Sequence, residues 1–197
     1  MSSLSLPHVS TLGSLADEEI TAALDLLFEP SNDLHVLSLP AIRAAASSGS
    51  INSWDDVADI VRAQLLNLQS QVATFREVAP APARLSAKSK LLGILGAHPR
   101  LGAKKVESAQ SVAEQAQLNK SSAEEAAKLA ALNAEYEAAF PGLIYVVFVN
   151  GRSRDVIMEN MRARIARGVY AQEEVEAIEA MASIAKDRAS KLPQESA

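Results

Sequence analysis

The 197-residue chain, with 48% hydrophobic and 22% charged residues, has the composition of a single globular domain with enough apolar material for a core. Its 19 Lys and Arg residues against 24 Asp and Glu residues give a net charge of −5, which excludes the basic footprint of a nucleic-acid-binding protein. The absence of cysteine excludes disulfides, thiolate zinc sites, iron–sulfur clusters and a cysteine nucleophile.

The first half of the chain is predicted to form three helices. Residues 15–28 carry apolar side chains at helical spacing and end in the turn-forming residues 29–33. Residues 34–46 form a second apolar stretch, which Pro40 interrupts. Ser53 has the place of an N-cap, with two aspartates in the first turn of a third helix.

The second half continues the helical pattern after a connector marked by Pro80 and Pro82. Further helices are predicted at residues 91–95, 111–140, 153–167 and 172–192. We therefore predict an all-α protein, a single compact domain of about seven to nine helices over residues 1–197. Residues 1–13 and 193–197 are expected to be flexible ends.

Residues 141–149 break the helical pattern, because their β-branched and aromatic composition favours a strand. A lone strand has no ladder partner for its backbone groups. Two explanations stay open: an extended segment threaded among the helices, or the start of a helix that propensity misjudges.

No membrane segment is predicted, because the longest unbroken apolar run, residues 142–149, is far too short to span a bilayer. The first residues lack a basic region followed by an apolar signal core. We expect a cytoplasmic protein with no membrane partner. The sequence ends in Glu195-Ser196-Ala197 rather than in a peroxisomal tripeptide, although a peroxisomal location stays open.

His98 stands where a proton-transferring group could be held. Pro99 pushes His98 out of helical geometry, and Gly96 and Gly102 on either side permit close backbone approach. A histidine at a helix end beside a loop can transfer protons near neutral pH. From these residues alone, a surface histidine that merely ends a helix is the simpler interpretation.

Two further places carry charged groups with ordinary structural explanations. Ser111 and Glu114 have the spacing of a capping box, while Glu114 and Gln115 together could also bind substrate groups at a helix N-terminus. Arg188 belongs to a charge cluster near the end of the last helix, where such clusters usually face water.

Motifs for metals and cofactors are absent from the sequence. It contains no His-Glu-x-x-His, no calcium-type carboxylate loop, and neither of the glycine-rich phosphate loops. We therefore predict no metal and no bound cofactor.

Three motifs follow one another in the second half of the chain. They are His-Pro-x-Leu-Gly at residues 98–102, Ser-x-x-Glu-Gln at 111–115 and Leu-Asn-x-Glu-Tyr-x-x-x-Phe at 132–140. In order and spacing they resemble the OHCU decarboxylase family, where OHCU is 2-oxo-4-hydroxy-4-carboxy-5-ureidoimidazoline, an intermediate of urate breakdown. The resemblance covers roughly residues 98–188, and the earlier part matches only as helices.

The resemblance implies which residues form the site. It assigns catalytic roles to His98, Glu114 and Arg188, the last because Ile184 precedes it by the family's spacing. Substrate contacts are assigned to Pro99, Ser111, Gln115, Ile144, Val146 and Phe148, the last three in the extended segment whose backbone meets substrate in the family.

Some residues depart from the family pattern and indicate a divergent, fungal-type member. Arg100 follows His-Pro where the family commonly has Asp, and residues 140–144 replace the family's Phe-Gly-Phe-Pro-Phe. A Trp and an Arg-Pro segment common near the family's N-terminus have no clear match. These departures leave the identity of the substrate open.

The resemblance implies a decarboxylase that converts OHCU, a ureidoimidazoline, into (S)-allantoin and CO2, and it implies a homodimer. Because a C=N group of this substrate can accept the electron pair released with CO2, no cofactor is needed. Two alternatives stay open: a non-catalytic helical interaction protein on the same scaffold, and a decarboxylase of a different small acid.

Overall fold

The helical periodicity of the sequence is realised throughout the part of the chain that the structure describes. The computed structural model of the protein describes residues 5–78, 81–102 and 123–196. Within them the α-helices are α1 (Asp17–Phe28), α2 (Asn32–Ser47), α3 (Trp54–Val78), α4 (Ala81–Leu95), α5 (Ala123–Ala139), α6 (Arg154–Arg167) and α7 (Tyr170–Lys191), preceded by a short 3₁₀-helix at Val9–Thr11. These residues contain no strand, and the prediction of a single compact all-α domain is confirmed. None of these helices is long and apolar enough to cross a membrane.

Polar side chains and a glycine define several helix ends. Ser31 Oγ accepts the N–H of Leu34 at 3.3 Å at the start of α2. At the start of α3, Ser53 Oγ accepts the N–H of Asp56, also at 3.3 Å. Gly168, with φ of 64°, ends α6 in the left-handed conformation. These contacts satisfy backbone groups that have no partner inside the helix.

Two prolines that were expected to interrupt the helical pattern lie inside helices. Pro82 belongs to the first turn of α4 rather than to a connector. Proline is tolerated there because the N–H groups of a first turn have no intrahelical acceptor. α2 runs through Pro40 without ending. Leu34 and Ile42 are fully buried on either side of Pro40, so both halves of α2 are anchored in the core.

The helix α7 lies at the centre of the packing. α1, α3 and α4 all contact it, with α3 lying along it over the longest stretch. Its buried face includes Ile178, Met181 and Ile184, and it ends with the buried side chain of Arg188. A helix with so wide a buried face can bring a charged residue into the interior only if that residue finds a partner there.

The apolar segment after α5 forms neither a strand nor a helix. Residues 143–149 are extended and have no ladder partner among the described residues. Two of its carbonyl groups accept hydrogen bonds from arginine side chains instead. Arg164 Nη1 donates to Val146 O at 3.1 Å, and Arg152 donates to Phe148 O. Of the two explanations left open by the sequence, the threaded extended segment is the correct one.

Residues near the two ends of the chain meet on the surface of the domain. Leu6 is fully buried, its N–H donates to Pro193 O at 2.8 Å, and its carbonyl accepts the N–H of Glu195 at 2.9 Å. The indole N–H of Trp54 donates to Pro7 O at 3.1 Å. These contacts bind part of both end segments to the domain, while the flexibility expected of those segments stays a prediction.

Candidate active site

The helix α4 brings His98 to the candidate site. Leu91, Ile94 and Leu95 are buried and fix the last turn of α4 in the core. Two turn residues follow, and His98 then lies in a bend directly before Pro99. Because a proline disfavours helical geometry in the preceding residue, His98 stands outside the helix, in a half-buried position.

The loop that follows His98 is bound to α5. Asn133 Nδ2 donates to Leu101 O at 3.0 Å, and both residues are buried. Arg100 forms an ion pair with Glu137, with 2.6 Å between Nε and Oε1. The residue that departs from the family pattern after His-Pro therefore has a partner on α5.

Gly102 allows this loop to approach α5 closely, as the sequence predicts. Its φ is 76°, and a Cβ at this position would lie 2.7 Å from a methyl carbon of Leu129. Any larger residue would meet both backbone strain and a clash here.

A buried ion pair joins the ends of α1 and α7. Arg188 lies in the last turn of α7, and Glu29 directly follows α1. Arg188 Nη2 donates to Glu29 Oε1 at 2.7 Å, and Nη1 donates to Leu27 O at 3.3 Å. Only 2% of the Arg188 side chain and 6% of the Glu29 side chain are exposed.

This ion pair acts electrostatically on His98. Burial lowers the pKa of His98 to about 4, the positive charge of Arg188 lowers it too, and the negative charge of Glu29 opposes both. Charges act this strongly on a histidine only when they lie near it. Arg188 and Glu29 therefore both lie within electrostatic reach of His98, and the imidazole of His98 is neutral at neutral pH.

A second buried cluster fixes the extended segment of residues 143–149 against the helices. Arg164 Nε donates to Glu173 Oε2 at 2.7 Å, and the hydroxyl of Tyr136 donates to the same oxygen at 2.8 Å. The guanidinium of Arg164 also lies over the ring of Tyr145, 4.9 Å from its centroid. Burial raises the pKa of Tyr145 to about 12, so its hydroxyl stays protonated.

The backbone groups of the extended segment differ in their hydrogen bonding. Its carbonyls at Val146 and Phe148 are held by arginines. Among the described residues, no backbone carbonyl accepts the N–H of Ile144, Val146 or Phe148. Ile144 and Phe148 are half-buried, and Val146 is buried.

The structure brings together two of the three residues predicted to be catalytic. His98 and Arg188, on different helices and far apart in sequence, lie within electrostatic reach of each other, and Pro99 adjoins His98 in a half-buried position. The predicted residues Ser111, Glu114 and Gln115 lie outside the described residues. The roles of all these residues stay predictions.

Sequence reasoning missed Glu29, which the structure places in the centre of the charge cluster. The composition of residues 29–33 predicts only a turn that ends α1. One signal was present: a carboxylate at a helix C-terminus is unfavourable beside the negative end of the helix dipole, so its presence there calls for a cation partner. No pattern of spacing identifies Arg188 as that partner.

The described residues contain no group of three or more His, Asp or Glu side chains placed to hold a metal ion. Within the described ranges, the ionisable groups of the site are one histidine, one arginine and one glutamate on three different elements.

Comparison with known proteins extends the resemblance beyond the three motifs. The model of the family described as OHCU decarboxylase matches residues 13–190 of the chain. The match includes α1 to α4, so Glu29 falls inside it, whereas the motifs alone begin at His98. No protein among the curated sequences matches the chain.

Proposed function

Because the chain belongs to the OHCU decarboxylase family, whose chemistry is decarboxylation in urate catabolism, we propose that it converts OHCU into (S)-allantoin and CO2. The observation that carries this proposal is a neutral, half-buried histidine within electrostatic reach of a buried arginine on a different helix.

The substrate supplies its own electron sink. In OHCU the carboxylate and the hydroxyl share C4, next to the C5=N bond. When the bond from C4 to the carboxylate breaks, its electron pair forms a C4=C5 double bond and the former C=N electrons move to nitrogen, which takes a proton. The resulting enol becomes the ring amide carbonyl of allantoin when the hydroxyl proton leaves and C5 gains a proton.

His98 is the acid/base in this scheme. Its imidazole is neutral because its pKa is held near 4, so it can accept the hydroxyl proton of the enol. The imidazolium then delivers a proton to C5 on the face that it occupies, and delivery on one face gives one enantiomer. A positioned acid/base of this kind contributes a rate factor of about 10²–10⁴.

Arg188 binds the negative end of the substrate. A guanidinium held out of water attracts a carboxylate strongly, and a charge-assisted contact would orient the scissile bond. In this proposal Ser111, Glu114 and Gln115 hold the ureido and ring N–H groups, as the family resemblance implies. The amides of the extended segment donate to the ring carbonyl.

The two alternatives have less support. The departures at Arg100 and at Leu143-Ile144 are the signs of a different substrate or of a non-catalytic scaffold. The ion pair of Arg100 with Glu137 gives this arginine a structural role in holding the loop to α5. No observation in the described part of the chain favours a partner surface over a small-molecule site.

The test is chiral. Urate, urate oxidase and the hydrolase that follows it generate OHCU in the cuvette, and circular dichroism records the allantoin that appears after the protein is added. We expect rapid formation of one enantiomer by the wild type and its near-complete loss in His98→Ala.

His35→Ala is the matched control, because His35 pairs with Asp25 at 2.6 Å and belongs to α2. This variant keeps its turnover if the effect is specific to His98. Slow, racemic allantoin formation from a folded wild-type protein would contradict the proposed function.

A further inference from the structure

Glu29 occupies a backbone conformation that glutamate has no local reason to adopt. Its φ is 74° and its ψ is 149°, in a region populated almost only by glycine. Its position after the last residue of α1 also places its carboxylate at the unfavourable end of the helix dipole. Glycine would suit this position better on backbone grounds.

The buried ion pair of the Glu29 side chain explains why a glutamate occupies this strained position. Its carboxylate accepts a hydrogen bond from Arg188 at 2.7 Å in a buried setting. The same guanidinium donates to Leu27 O, so two acceptors at the end of α1 hold it from two directions. A planar guanidinium held in this way has a defined orientation.

We propose that Glu29 is the positioning residue of the active site, and that its strained and buried carboxylate fixes the guanidinium of Arg188 beside His98 for contact with the substrate carboxylate. The part that concerns catalysis rests on the proposed function, whereas the part that concerns the charge cluster does not. In this proposal the hydrogen bond with Arg188 holds Glu29 in its strained backbone conformation, and the same bond orients the guanidinium.

Two substitutions separate charge from strain. Glu29→Gln keeps the size of the side chain and the strained backbone but removes the charge. Glu29→Gly removes both the charge and the strain. If Glu29 serves only the fold, the glycine variant, which suits the backbone, retains wild-type turnover.

If Glu29 positions Arg188, both variants lose turnover even though Glu29→Gly relieves the backbone strain. We expect kcat to fall by about 10- to 100-fold, because a misplaced catalytic contact costs rate in this range. KM changes little, since the attraction of the guanidinium for the carboxylate persists.

A double-mutant cycle tests whether Glu29 acts through Arg188. Once Arg188→Ala is present, adding Glu29→Gln should cause no further loss of kcat/KM. If the losses of kcat/KM in the two single variants multiply in the double variant, the proposal is wrong. A wild-type kcat in Glu29→Gly would also overturn it. Glu179→Gln is the control, because Glu179 is an α7 glutamate paired with Arg62 on the surface, and it should leave both constants unchanged.

A readout without substrate keeps this inference separate from the proposed function. The His98 imidazole resonance, assigned by its absence in His98→Ala, is titrated by NMR in the wild type and in both single variants. We expect the pKa of His98 to fall in Glu29→Gln and to rise in Arg188→Ala, because each variant removes one of the two opposing charges. Unchanged titrations would overturn the charge cluster itself, even if the wild type proved inactive toward OHCU.

Discussion

His98 links the chemistry of the site to the stability of the fold at the scale of a single residue. Its pKa is about 4 in the folded protein against an ordinary 6.5, chiefly because it is buried and secondarily because Arg188 is near. Between these two values the unfolded chain binds a proton at this residue that the native state does not bind. The free energy of unfolding therefore decreases as the pH falls from 6.5 toward 4. Above 6.5 neither state binds this proton, so His98 causes no loss of stability there.

His98→Asn should remove this pH dependence. We expect the difference in unfolding free energy between variant and wild type to shift in favour of the variant as the pH falls through this window. Urea unfolding at several pH values measures it, and comparing the two proteins cancels the titration of the shared carboxylates. A constant difference across the window would show that the His98 pKa is not depressed.

At the scale of helices and segments, the buried cluster around Arg164 connects three parts of the fold. It joins α6, through Arg164, to α7, through Glu173, and to the extended segment, through the carbonyl of Val146. Glu173 is fully buried, and Arg164 and Arg167 are its ion-pair partners. The extended segment keeps its place without a ladder because its backbone is bound by this cluster and by Arg152.

Arg164→Met should be strongly destabilising, because it leaves the Glu173 carboxylate buried beside fewer partners. We expect a loss of about 3–5 kcal/mol in unfolding free energy, the usual effect of breaking a buried ion pair. Urea or thermal unfolding measures this loss. Hydrogen exchange should also accelerate at residues 143–149 if the cluster holds that segment.

Arg62→Met provides the matched control for this prediction. Arg62 pairs with Glu179 between α3 and α7, but both side chains are more than a third exposed. A surface pair of this kind contributes at most about 1 kcal/mol. Equal losses in the two variants would show that burial does not decide the strength of these pairs.

For the whole molecule, the sequence predicted the helical architecture because helix ends are set by local chemistry. Ser53 and Gly168 act within one turn of the residues that they cap, so their roles are visible in the sequence. Pro40 shows the limit of local reasoning, because burial on both sides of it keeps α2 continuous. The path of residues 143–149 depends on arginines elsewhere in the chain, so the sequence left two explanations open.

The candidate site was predictable only where a motif marks it. His98 has a distinctive neighbour in Pro99, and family resemblance identified Arg188. Glu29 has no motif, and its importance depends on a positive φ and on a partner 159 residues away. Long-range pairing of this kind is set by the arrangement of helices, which residue spacing does not reveal. The homodimer implied by the resemblance stays a prediction.

The meeting of Leu6 with the C-terminal segment has a consequence for chain connectivity. Because their backbones are hydrogen-bonded, a short glycine-rich linker can join residues 196 and 5 without moving either. The chain can then be opened in the exposed turn between Gly49 and Ser50. In such a circular permutant α7 comes before α1 in the chain. Arg188 and Glu29 are then much closer in sequence than in the natural order.

We expect this permutant to keep the circular dichroism spectrum and the turnover of the wild type. Its refolding rate in stopped-flow measurements should stay close to that of the wild type, because the contacts of α1 with α7 become local in sequence while those of α2 with α3 and α4 become distant. An unfolded permutant would show that the order of the helices in the chain matters to this fold, beyond their packing around α7.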